Sequence, residues 1–185
     1  MIFIYGNSHS TVFTNKDAGY IGLAYSKYFI SCTKRPMTGK NFIDVEWNNL
    51  KDFLSIFDKN NDYLIMMIGE HDVRVDLPMV CDDALLFKYI DDYFEAILKL
   101  KSEGFRVIGY SSHPTVNDSL SKRWGIYMEK KCNENNIPFL NIFPYVFNED
   151  STINFTDYYQ DAIHLKNDAI FPKIVDELKK LNLIK

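Results

Sequence analysis

Four short, mostly apolar runs, each followed by a stretch of helical period, constrain the fold of this chain more than any other feature. They cover residues 2–5, 63–68, 106–110 and 138–142, and a weaker fifth run covers 28–32. Apolar runs this short, without polar alternation, suit strands covered on both faces, as in a parallel sheet between helix layers. The intervening segments carry the matching helical signal. From Leu86, the residues Ile90, Tyr93, Phe94, Ile97 and Leu100 recur at spacings of three and four, and Gly104 follows Glu103 where a helix can end on a left-handed glycine. Further helices are predicted over 17–27, 47–57, 117–135 and 167–183. The alternation of strand and helix predicts an α/β fold, a three-layer α/β/α sandwich around a mostly parallel five-stranded sheet.

The chain has 185 residues, 46% of them hydrophobic, with no linker, repeat or composition shift, so residues 1–185 are read as a single domain. A net charge of −4 leaves no basic stripe for a phosphate backbone, and nucleic acid is not an expected partner. Cys32, Cys81 and Cys132 lie far apart with no C-x-x-C spacing, which argues against a disulfide framework and against structural zinc. Reduced thiols and an apolar start too short for a signal sequence lead to the expectation of a cytoplasmic protein. No apolar run approaches the roughly 18 residues of a membrane span, so no membrane partner is expected. The four histidines, His9, His71, His113 and His164, show no zincin spacing, and no metal is expected. The acidic pairs Asp82-Asp83 and Asp91-Asp92 sit at adjacent positions, which do not face each other on a helix, and are read as solvated charge.

Chemistry in an open α/β sheet belongs at the carboxyl ends of the strands. The loops over 33–44 and 70–83 follow predicted strands there, as does Gly6-Asn7-Ser8-His9-Ser10. Ser8 thus falls in a turn at the sheet edge, placed for nucleophilic attack, although an isolated serine there more often caps a turn. Near the other end of the sequence, Asp161-Ala162-Ile163-His164 precedes the last predicted helix. A spacing of three brings carboxylate and imidazole within reach, so that Asp161 holds one ring nitrogen of His164 and leaves the other as base. A local hydrogen bond ahead of a helix is the plainer account of that tetrad alone. Together the two elements supply serine, aspartate and histidine in that order, with the base and its orienting group on one short loop.

These residues make the chain resemble the SGNH hydrolases, also called GDSL-type esterases and lipases. The family's Gly-Asp-Ser block is matched by Gly6-Asn7-Ser8, and its Asp-x-x-His block by Asp161 and His164. Its Gly-x-Asn-Asp block is matched in part by Gly69-Glu70-His71-Asp72, and its second-block glycine by Gly39, with Gly22 as the fallback. The likeness extends through Ser111-Ser112-His113-Pro114 and Tyr158-Tyr159-Gln160 to nearly the whole chain. Glu70, Asp72 and Arg74 also match a subgroup with Gly-Glu-x-Asp-x-Arg in the third block.

The resemblance implies a serine esterase that needs no cofactor, with Ser8 as nucleophile, His164 as base and Asp161 orienting it. The backbone N–H groups of Ser8 and Gly39 would form the oxyanion hole together with His71, which replaces the family's asparagine. Arg74 would add positive potential. His9, Glu70, Arg74 and His113 are candidates for substrate contact, with local structural roles as the alternative for His9 and His113. The implied substrate is a small-molecule or saccharide ester, most plausibly an acetyl ester of a carbohydrate. Two alternatives stay open: an acyltransferase on the same triad, and a non-catalytic binding domain, which the missing third-block asparagine favours.

Overall fold

The computed structural model describes residues 1–7, 10, 22–26, 42–76, 83–114, 118–161 and 163–184. Its centre is a sheet built from β1 (Ile2–Gly6), β2 (Gly22–Ser26), β3 (Tyr63–Met67), β4 (Val107–Tyr110) and β5 (Phe139–Leu140). The spatial order is β2-β1-β3-β4-β5, and every neighbouring pair is parallel. The helices are α1 (Phe42–Phe53), α2 (Asp83–Ser102), α3 (Asp118–Glu134), α4 (Phe143–Val146), α5 (Phe155–Tyr158) and α6 (Asn167–Lys180).

The strands are apolar throughout because both faces are covered, and alternate residues serve different cores. Phe3, Tyr5, Leu64, Met66 and Val107 pack on one face against Leu50 of α1, Ile90, Tyr93 and Phe94 of α2, and Trp124 and Met128 of α3. Ile4, Ile65, Met67, Ile108 and Tyr110 pack on the other against Val146 of α4 and Ile170, Ile174 and Leu178 of α6. Three layers result, as the sequence pattern predicts.

One expected element is wrong. The predicted helix over 17–27 contains β2, whose residues Gly22 to Ser26 pair in register with Ile2 to Gly6. An outer neighbour satisfies backbone groups of β1 that helix formation at 22–26 would leave without a ladder partner, and this tertiary demand overrides the local helical pattern. The weaker strand candidate at 28–32 lies outside the described residues. The second helix begins at Phe42 rather than Trp47, its first turn held by the edge contact of Phe42 with Tyr5 at 6.1 Å between ring centroids. The third-block loop is not irregular either: Val73 N–H donates to the Gly69 carbonyl at 3.0 Å, and a π-helical turn, Asp72–Asp76, follows.

Candidate active site

The first-block glycine is required by the sheet itself. Gly6 lies opposite Met67 in the β1/β3 ladder, and a Cβ on it would meet the Met67 carbonyl oxygen at 2.5 Å. Beyond it the chain leaves the sheet through Asn7, which is buried, and Ser10 N–H donates to the Asn7 carbonyl at 3.0 Å. Ser8 and His9, between them in sequence, lie outside the described residues, as does Gly39.

Gly22, the fallback for the second-block glycine, opens β2 opposite Ile2 and so stands at the amino end of the sheet. Active-site loops lie at the other end, and Gly22 is therefore not that glycine.

The third block starts at the carboxyl end of β3. Gly69 has φ 109°, and a Cβ there would stand 2.3 Å from the Trp124 ring. Both the backbone conformation and the approach of α3 thus demand glycine. His71 is half-buried in the turn that follows, and Asp72 is fully buried.

Glu70 is only 4% exposed, with its carboxylate between two partners. Asn7 Nδ2 donates to its Oε2 at 3.3 Å, and Arg74 Nε donates to its Oε1 at 2.5 Å. The departure from the Gly-Asp-Ser pattern is thereby explained: position 7 faces a carboxylate, so an amide donor belongs there and a second carboxylate does not. Arg74 keeps 27% of its side chain exposed, so it pairs with the buried Glu70 while staying in part open to solvent.

After β4, Ser111 Oγ accepts the Ile142 N–H at 3.2 Å, tying this loop to β5, and Ser112 takes a positive φ of 38°. His113 is 1% exposed, a position in the floor under the loops rather than on a surface open to substrate.

The Asp-x-x-His tetrad sits on a narrow loop whose base is an antiparallel bridge between Tyr159 and Leu165, with Gln160 N–H donating to the His164 carbonyl at 2.9 Å. Asp161 Oδ2 lies 2.9 Å from His164 Nδ1. Its Oδ1 accepts the backbone N–H groups of both Ile163 and His164 at 2.7 Å. The His164 N–H, the imidazole and the Ile163 N–H together hold the Asp161 carboxyl down to about 2, so it is a fixed anion at any ordinary pH. His164 keeps 31% of its side chain exposed. A half-open imidazole with one nitrogen engaged by an anion can exchange protons through the other.

The loop is anchored from behind: the Tyr159 hydroxyl donates to the Pro114 carbonyl, joining the tetrad loop to the loop after β4. Burial, and secondarily the charge of Glu70, push the Tyr159 phenol far up, so it is a permanent donor. Among the described residues no group of three histidine, cysteine, aspartate or glutamate side chains could hold a metal ion. Among them, too, no helix is long and apolar enough to cross a membrane.

The Asn7–Glu70–Arg74 chain and the Tyr159 anchor are contacts that sequence reasoning missed. The first had a legible signal, since the motif loses a carboxylate at position 7 in a chain that carries one at 70. The second had none, because a tyrosine beside an active-site motif is usually read as packing.

No family model and no curated protein sequence matches the chain. Solved structures do. A GDSL-like lipase from Bacteroides thetaiotaomicron is similar at 19% identity over 98% of this chain and 86% of its own, with a TM-score of 0.67. An acetyl xylan esterase is similar at 15% identity over 98% and 99%, with a TM-score of 0.64. A member of the lipolytic G-D-S-L family from Veillonella parvula is similar at 14% identity over 97% and 96%, with a TM-score of 0.63. At these identities the likeness is one of fold: the α/β/α sandwich described above is the one these proteins share.

Proposed function

We propose that the protein is a serine esterase of the SGNH type that removes a short acyl group, acetyl above all, from a carbohydrate or another small polar molecule. The observation that carries the reading is the Asp161–His164 pair, 2.9 Å apart on a braced loop, in a fold shared with a GDSL-like lipase and an acetyl xylan esterase. In this mechanism Ser8 attacks the acyl carbonyl while His164 accepts its proton, and Asp161 keeps the imidazole oriented and stabilises its charged form. The tetrahedral oxyanion is held by the N–H groups of Ser8 and Gly39 and by His71. Collapse expels the alcohol, to which His164 returns the proton, and water then repeats the sequence on the acyl-enzyme. Arg74 and Glu70 support the site's electrostatics, and His9 is assigned to substrate contact.

A fluorophosphonate probe with mass mapping of the adduct tests the nucleophile, and a panel of acetyl, butyryl and longer esters tests the acyl preference. Labelling at Ser8 with turnover of the short esters is the expected result. No adduct and no turnover would point to the non-catalytic binding domain, for which the replacement of asparagine by His71 is the specific observation. Product analysis with a sugar acceptor present separates hydrolysis from acyl transfer.

A further inference from the structure

One buried carboxylate, that of Glu70, has no step in the mechanism above. Glu70 accepts from Asn7 on one oxygen and from Arg74 on the other, and its charge reaches Tyr159. The two hydrogen bonds and the electrostatic reach to Tyr159 lead to different parts of the site. Asn7 precedes Ser8 in sequence, Arg74 lies on the turn that carries His71, and Tyr159 stands two residues before Asp161. A carboxylate this deeply buried is costly to desolvate unless paired, so the guanidinium and the amide are conditions of its presence. From this juxtaposition we infer that Glu70 is a positioning residue that, through Asn7, fixes the segment bearing the nucleophile, with Arg74 cancelling its charge near the developing oxyanion.

The inference rests on the esterase reading and deepens it. Ester attack builds negative charge on the carbonyl oxygen, and an uncompensated carboxylate one residue before His71 would oppose that charge. The pair with Arg74 makes Glu70 neutral at a distance while its second oxygen still orients the Asn7 amide. The polarity of the Asn7–Glu70 contact is consequently reversible: amide facing carboxylate works in either direction, whereas carboxylate facing carboxylate does not.

The test uses the full chain carrying Asn7→Asp, Glu70→Gln or both, with p-nitrophenyl acetate kinetics, fluorophosphonate labelling and melting temperature measured on each. Asn7→Asp sets two carboxylates against each other and should lower kcat by about 10²-fold with KM nearly unchanged, as expected for a displaced nucleophile. Glu70→Gln should lower kcat by about tenfold with little effect on KM. The double variant restores an amide facing a carboxylate and should recover to within about tenfold of wild-type kcat. A double variant no better than Asn7→Asp overturns the inference, as do single variants that shift only the melting temperature. Should Asn7→Asp fail to fold, Glu70→Gln, of the same shape, decides alone: wild-type kcat there overturns the inference. A wild type that neither labels at Ser8 nor turns over the ester sinks the esterase reading and this inference together. A wild type that does both, with unaffected variants, sinks this inference only.

Discussion

Asp161 engages His164 twice, through the imidazole Nδ1 at 2.9 Å and through the backbone N–H at 2.7 Å, so one carboxylate fixes both the ring and the peptide that carries it. The ring's tautomer and its position are therefore set by the same contact.

The first prediction concerns pH. Asp161, held near 2, stays ionised through the working range, so the acid side of the kcat/KM profile should show no carboxylate ionisation above pH 4. Asp161→Asn should lower kcat on the order of 10³-fold by releasing the ring. Two resolved acid ionisations above pH 4 in the wild type would show that another carboxylate shares the role.

The same depressed carboxyl links stability to pH. Its folded value lies below the ordinary 3.8, so the unfolded chain takes up the proton first. The stabilisation is complete above about 3.8 and is lost as pH falls toward about 2. In acid titration monitored by circular dichroism, Asp161→Asn should show a shallower loss of stability across that window than wild type, and parallel curves would refute the assignment.

Ser8→Ala should abolish ester turnover and probe labelling while leaving the melting temperature within a few degrees of wild type, since the covalent step needs the hydroxyl. Near-wild-type turnover by the alanine variant would remove Ser8 from the mechanism.

His71→Ala should lower kcat by roughly 10² to 10³ with little change in KM if its N–H meets the oxyanion, and His71→Asn should recover much of that loss. An alanine variant with unchanged kcat excludes His71 from the oxyanion hole.

Gly69→Ala tests the fold rather than the chemistry. With φ at 109° and the Trp124 ring 2.3 Å from the added carbon, the substitution should cost about 2–4 kcal/mol, seen as a melting temperature lower by roughly 5–15 °C. A change under about 1 °C would mean that the turn rearranges freely.

The main strands were legible because Phe3 and Tyr5 face one core and Ile4 the other, which forces the unbroken apolar run that marks a doubly covered strand. The second strand was not, since Gly22-Leu23-Ala24-Tyr25-Ser26 has no composition that separates it from a helix and is a strand through its pairing with β1. The short helices α4 and α5 fall below the length at which periodicity can be read. At the site, the Asp161–His164 spacing carried its own geometry because three residues place the groups in reach. The Asn7–Glu70 contact joins residues 63 positions apart, and only strand order brings them together.

That strand order also sets a timetable for synthesis. The strand leading to Ser8 is made first, yet it is central in the sheet: its partner β3 comes some sixty residues later, and Ile4 shares its core with Ile170, Ile174 and Leu178 of α6. A nascent chain must hold β1 with one face bare until α6 has left the ribosome, a non-local demand that slows folding. His164 emerges just ahead of that helix. Chains that have not yet reached α6 therefore lack the proposed base together with the helix that covers the second core, so the proposed ester cleavage must wait for both.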